Sequence, residues 1–125
     1  MNRILLVDDN KDVHRLLSAL LKRHFGEQHF HQTFAHSGQE ALKILETEVF
    51  DLIICDVEMS EGDGPFLLDE LEKVNSKTPF IFFTSSPRDL PSKLKGSLKA
   101  VISKAHPKKL VTEIEKLLEI KSEHG

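Results

Sequence analysis

The chain has no tryptophan, no tyrosine and a single cysteine. The lone Cys55 has no intramolecular disulfide partner, which fits a reducing cytoplasm. No apolar run approaches the ~20 residues of a membrane-spanning helix. The start, Met1-Asn2-Arg3 before the short apolar run Ile4–Val7, is too short for a secretory signal. Neither charge sign dominates. The 17 Lys and Arg against 20 Asp and Glu give a net charge of −3, with the signs mixed along the chain, so nothing supports a nucleic-acid-binding surface. What is present, 39% hydrophobic and 30% charged residues, belongs to a globular protein rather than a disordered or membrane one. A length of 125 residues suits one domain that can bury a sizeable core without disulfides. The expected organisation is one domain over 1–121 and a frayed tail at 122–125.

Two patterns alternate along the chain. Short apolar runs at Ile4–Val7, Leu52–Cys55, Phe80–Phe83 and Ala100–Ile102 have the length of buried strands. Phe30–Ala35 reads as a weaker, more polar strand at a sheet edge. Helical spacing marks Val13, Leu16, Leu17, Leu20, Leu21 and Phe25, then Ala41, Leu42 and Leu45, then Leu67, Leu71 and Val74, and finally Leu110, Val111, Ile114, Leu117 and Leu118. Ser37-Gly38-Gln39-Glu40 has the form of a helix start, and Pro107 suits the first turn of the last helix. Pro87, Pro91 and Gly96 cut against a long helix, so Pro87–Leu98 reads as a short or irregular one. Repeated β-α units with strands apolar on both faces predict an α/β domain, a parallel sheet covered by helices on both sides.

Ligands in such sheets bind outside the carboxyl ends of the strands. The residues at those ends are Asp8 and Asp9, Asp56, Thr84 with Ser85 and Ser86, and Lys104. Each has a plain reading by itself: Asp8 and Asp9 as helix caps, Asp56 and Thr84 as turn residues, Lys104 as a solvated lysine. Together they make a different object. Three carboxylates on one rim repel and need a cation, and an oxygen-only ligand set suits Mg²⁺. Aspartate is a covalent phosphate carrier. A phosphoryl group on Asp56 would share an oxygen with the ion, while Lys104 and the Thr84 hydroxyl could take the other two oxygens.

The segments Ile4-Leu5-Leu6-Val7-Asp8-Asp9-Asn10, Asp51-Leu52-Ile53-Ile54-Cys55-Asp56-Val57-Glu58-Met59, Asp63-Gly64, Phe83-Thr84 and Ser103-Lys104 resemble, in order and spacing, the receiver domain of two-component response regulators. The resemblance covers nearly the whole chain. It implies a doubly wound, flavodoxin-like five-stranded parallel sheet of order 2-1-3-4-5. It also implies a phosphoacceptor at Asp56, Mg²⁺ held by Asp8, Asp9, Asp56 and the main-chain carbonyl of Glu58, and phosphoryl contacts from Thr84 and Lys104. The implied donor is a sensor histidine kinase or a histidine phosphotransfer protein. The implied output runs through a downstream protein on the face of the fourth helix, fifth strand and fifth helix, with no direct nucleic-acid contact and no membrane insertion. On this reading the chain is a stand-alone switch that assists its own phosphorylation and dephosphorylation and is not otherwise an enzyme.

Several positions depart from the family pattern. Lys104 is followed by Ala105 rather than proline, and a non-proline cis bond costs about 2.5–4 kcal/mol, so a trans Lys104–Ala105 bond is expected. Val101 stands where an aromatic ring is common, which puts the usual aromatic readout in question. Met59-Ser60 replaces Met-Pro, which predicts a less rigid loop. Glu58 and Ser86 lie where the family tunes phosphoryl lifetime.

Seven histidines invite a metal reading, but His24, His29, His31 and His36 have no completing carboxylate or cysteine in a recognisable zinc pattern. Cys55, inside a strand, reads as a buried inert thiol, and the eight phenylalanines as mostly core. Two other functions remain to be weighed. One is an aspartyl-phosphate phosphatase of the haloacid dehalogenase type, although its Asp-x-Asp nucleophile motif lies early in the chain and Asp56-Val57-Glu58 lies in the middle. The other is a binding module that is never phosphorylated.

Overall fold

The computed structural model describes residues 2–26, 30–87 and 96–120. The elements are β1 (Asn2–Val7), α1 (Lys11–Phe25), β2 (Phe30–Ala35), α2 (Gly38–Leu45), β3 (Leu52–Cys55), α3 (Gly64–Lys73), β4 (Phe80–Thr84), β5 (Leu98–Ser103) and α4 (Pro107–Leu118). The five strands form one sheet in the order β2-β1-β3-β4-β5, and every ladder is parallel. This is the doubly wound α/β architecture expected from the sequence, with β2 at one edge.

The alternation of side chains along each strand builds two cores. Ile4, Leu6, Leu52, Ile54, Ile81, Phe83 and Ile102 face one way and meet Val13, Leu17 and Leu21 of α1 and Leu110 and Ile114 of α4. Leu5, Val7, Ile53, Cys55, Phe80 and Phe82 face the other way and meet Ala41 of α2 and Leu67 and Leu71 of α3. The central strands are therefore apolar throughout because each residue has a helix layer above or below it. Between β4 and β5 the register slips, with Phe80 opposite Leu98 but Ile81 opposite Ala100, so Lys99 bulges out. β5 is thereby longer than its apolar run, Ala100–Ile102.

The helix starts follow local chemistry. Asn10 caps α1, accepting from the Asp12 N–H at 2.9 Å. That position is therefore not taken by Asp8 or Asp9. Ser37 caps α2, accepting from the Glu40 N–H at 3.1 Å. Asp63 caps α3 and accepts from Phe66, and Pro107 occupies the first turn of α4.

Three expectations need correction. Leu16 is 46% exposed, and the flank of α1 beside β2 is filled by buried His14 instead. Val74 is 72% exposed, because α3 ends at Lys73 and Asn75 turns the chain at φ 56°. Leu98, assigned to an irregular helix, opens β5. The rest of that proposed helix, over 88–95, lies outside the described residues, as do the tail at 122–125 and His29. No peptide bond among the described residues is cis, so Lys104–Ala105 is trans. No helix among them is long and apolar enough to cross a membrane.

Candidate functional site

Parallel strands put every candidate residue on one rim. Asp8 follows β1, Asp56 follows β3, Thr84 ends β4 and Lys104 follows β5. The sheet's hydrogen bonds continue past the strands to hold them. The Asp8 N–H donates to Ala35 O at 3.0 Å, the Asp56 N–H to Val7 O at 2.8 Å, and the Lys104 N–H to Thr84 O at 2.9 Å. The rim residues are thus fixed by backbone pairing rather than carried on free loops.

The two buried carboxylates are divided in the same way. Oδ1 of Asp8 accepts from the Asn10 N–H, and Oδ1 of Asp56 from the Val57 N–H, each at 2.9 Å. Oδ2 of each meets the Lys104 ammonium, at 2.9 Å for Asp8 and 3.5 Å for Asp56. Asp9 is exposed, yet Asp8, Asp9 and Asp56 each offer a carboxylate oxygen within 4.8 Å of the others. Among the described residues no other group of three His, Cys, Asp or Glu side chains comes together in this way. Thr84 is buried, and its hydroxyl accepts from the Ser86 N–H at 3.1 Å. Glu58 is exposed, two residues beyond Asp56.

The electrostatics show an excess of negative charge. Burial, and then the nearby Asp8 charge, push the Asp56 carboxyl above its ordinary value, against the opposing pull of Lys104 and the Val57 N–H. Burial pulls Lys104 down, but its hydrogen bond and attraction to Asp8, with Asp56 beside it, leave it above its usual range. One ammonium therefore does not compensate the carboxylates. A divalent cation with oxygen ligands fits this donor set.

Two neighbours complete the surroundings. Cys55 is buried, its Sγ donates to the Asp56 carbonyl at 3.1 Å, and burial pushes its thiol well up, so it is no thiolate nucleophile. His14 did not stand out in the sequence. Its ring stacks on Phe34 with centroids 4.9 Å apart, meets His36 edge-on at 5.2 Å, and hydrogen-bonds the main chain of Asp8. Burial, then His36, lowers its pKa, and its Nε2 is buried and unpartnered. The available signal was its position next to Val13 on the buried stripe of α1.

The doubly wound parallel sheet gathers acidic residues and a lysine on its carboxyl rim, where α/β proteins of this class bind their ligands. The family model of the response regulator receiver domain matches residues 4–115, and the chain belongs to that family, the phosphoacceptor domains of two-component signalling. Curated relatives are longer. The transcriptional regulatory protein ZraR of Salmonella typhimurium is 36% identical over 98% of this chain, which spans 27% of that protein. CpxR of Klebsiella pneumoniae is 38% identical over 72% of this chain, which spans 36% of it. Among solved structures, the Francisella response regulator 1452 receiver domain superposes with a TM-score of 0.79 at 26% identity, over 95% of this chain and 98% of that one. The response regulator TrrA of Thermotoga maritima in complex with Mg²⁺ and BeF gives 0.79 at 28% identity, over 94% and 99%. TrrA in complex with the histidine kinase ThkA gives 0.75 at 28% identity, over the same shares.

Proposed function

We propose that Asp56 accepts a phosphoryl group from a phosphohistidine on a sensor histidine kinase or a histidine phosphotransfer protein, with Mg²⁺ bound by the Asp8, Asp9 and Asp56 carboxylates and the Glu58 main-chain carbonyl. The convergence of those three carboxylates within 4.8 Å, with Lys104 at 2.9 Å from one of them, carries the reading. The magnesium complex of TrrA and its complex with ThkA support the same ion and the same kind of donor for this chain.

In the transfer, an Asp56 carboxylate oxygen forms the new bond to phosphorus as the bond from phosphorus to the donor's imidazole nitrogen breaks. The Val57 N–H holds Asp56 Oδ1 and leaves Oδ2 beside the Lys104 ammonium. Lys104 turns from the carboxylates to a phosphoryl oxygen, and the Thr84 hydroxyl donates to another. A metal held by Asp8, Asp9 and Asp56 would supply positive charge against the negative charge of the carboxylates and the phosphoryl group. Such transfers depend on positioning and charge neutralisation more than on covalent chemistry.

The protein acts as a switch in the cytoplasm. It assists its own phosphorylation and hydrolysis, and it signals to a downstream protein through the face formed by β5, α4 and the segment that precedes β5, without contacting nucleic acid directly. The test is incubation with acetyl phosphate and Mg²⁺ followed by intact mass. One phosphoryl adduct is expected, absent in EDTA and absent in Asp56→Asn. No adduct, or an adduct that survives Asp56→Asn, overturns the assignment. Repeated turnover of a phosphate ester would point to a phosphatase instead.

A further inference from the structure

The loop from Val57 to Asp63 carries the Glu58 carbonyl, and its tip is unusual. Glu61 and Gly62 both lie in the left-handed region, at φ 54° and 97°. Glu61 has a Cβ and adopts this conformation against a steric cost. Ser60 gives the loop no proline ring to fix it. The base of the loop is closed by the Gly64 N–H donating to Val57 O at 2.9 Å, and its tip is held by α2.

The hold is specific. The Gly38 N–H donates to Gly62 O at 2.7 Å and the Gln39 N–H to Glu61 O at 3.2 Å. These are the first two N–H groups of α2, which have no partner within the helix. The next two are used locally, Glu40 N–H by the Ser37 hydroxyl and Ala41 N–H by Ser37 O. The start of α2 is thus fully satisfied, half of it by the phosphoacceptor loop. Contact this close requires glycine. A Cβ on Gly38 would stand 2.7 Å from Gly62 O, 3.0 Å from Gly62 C and 3.2 Å from Asp63 O, all backbone atoms. A Cβ on Gly62 would stand 2.9 Å from the Phe66 ring and 3.1 Å from Gln39 N. Helix propensity alone favours alanine at position 38, so close approach, not helix formation, accounts for the glycine.

We propose that the first turn of α2 is a clasp on the phosphoacceptor loop, and that Gly38 is a positioning residue for the metal-binding segment Asp56–Glu58. The inference rests on the metal role proposed above for that segment. Clasp and ion then favour each other reciprocally: closing the clasp presets the ligands, and binding the ion tightens the clasp.

Two measurements test it. The first is Mg²⁺ titration by calorimetry of the wild type, Gly38→Ala and Ser37→Ala, the last removing the α2 cap but not the close contact. Gly38→Ala should bind Mg²⁺ on the order of tenfold more weakly, Ser37→Ala should stay near wild type, and saturating Mg²⁺ should restore full phosphorylation of Gly38→Ala by acetyl phosphate. The second is amide hydrogen exchange in the wild type, where Mg²⁺ should slow the Gly38 and Gln39 amides and leave those of α4 unchanged. A folded Gly38→Ala with wild-type Mg²⁺ affinity overturns the proposal. So does unchanged exchange at Gly38 and Gln39, which decides the matter even if the variant does not fold. Failure of the wild type to bind Mg²⁺ would instead remove the metal reading beneath it.

Discussion

The Lys104 ammonium lies closer to Asp8, at 2.9 Å, than to Asp56, the proposed phosphoacceptor, at 3.5 Å. Lys104 is thus the internal counter-ion of the acidic pair.

Removing that counter-ion exposes the repulsion it masks. Lys104→Ala should lower unfolding stability in EDTA by about 1–2 kcal/mol, less than the ~3–5 of a fully buried pair, because the Lys104 side chain is 21% exposed. The lysine's pKa is raised on folding, so its contribution is complete below its ordinary 10.5 and fades as pH rises through the higher folded value. Mg²⁺ should restore more stability to the variant than it adds to the wild type. Denaturant unfolding with and without Mg²⁺ checks this, and equal Mg²⁺ stabilisation of the two proteins would contradict it.

Asp56 also loses stability as pH rises, but here it is the ionised form that destabilises the fold. Its pKa is raised above 3.8 in the folded protein, chiefly by burial and then by Asp8, so the folded state holds a proton that the unfolded chain releases. Stability is therefore lost as pH climbs from about the ordinary value through the raised one. Asp56→Asn cannot ionise and should unfold at a higher temperature than the wild type in EDTA at neutral pH. The gap should close on acidification below the ordinary value and shrink on adding Mg²⁺. Thermal melts across pH in EDTA read this, and a variant less stable than the wild type at neutral pH would sink the account of the charge excess.

Glu58 is exposed two residues beyond Asp56, the residue proposed to carry the phosphoryl group. Glu58→Asn should change the dephosphorylation rate about threefold, a barrier change of about 0.7 kcal/mol. The decay of the phosphorylated protein after acetyl phosphate is removed gives that rate. An unchanged lifetime would show that the Glu58 carboxylate neither orients nor repels the attacking water.

Much of this was legible in the sequence because parallel strands translate position into place. Once Ile4–Val7, Leu52–Cys55 and Phe80–Phe83 read as buried strands, Asp8, Asp56 and Thr84 had to share a rim. Helix faces were less legible. Apolar spacing counted Leu16 into the core, but α1 is turned so that His14 fills that flank by stacking on Phe34. Val74 continued a helical period past the point where Asn75, in the left-handed region, ended α3. The clasp of Gly38 on Gly62 left no periodic signal, since it joins two backbones through the absence of side chains.

The central claim is that the buried carboxylate of Asp56, and no other, carries the phosphoryl group. Borohydride reduces an acyl phosphate to the alcohol and leaves free carboxylates alone. Treatment of the protein with acetyl phosphate and Mg²⁺, then borohydride and peptide mass mapping, should find homoserine at position 56 only. Homoserine at position 8 or 9, or at none of the three, would contradict the account.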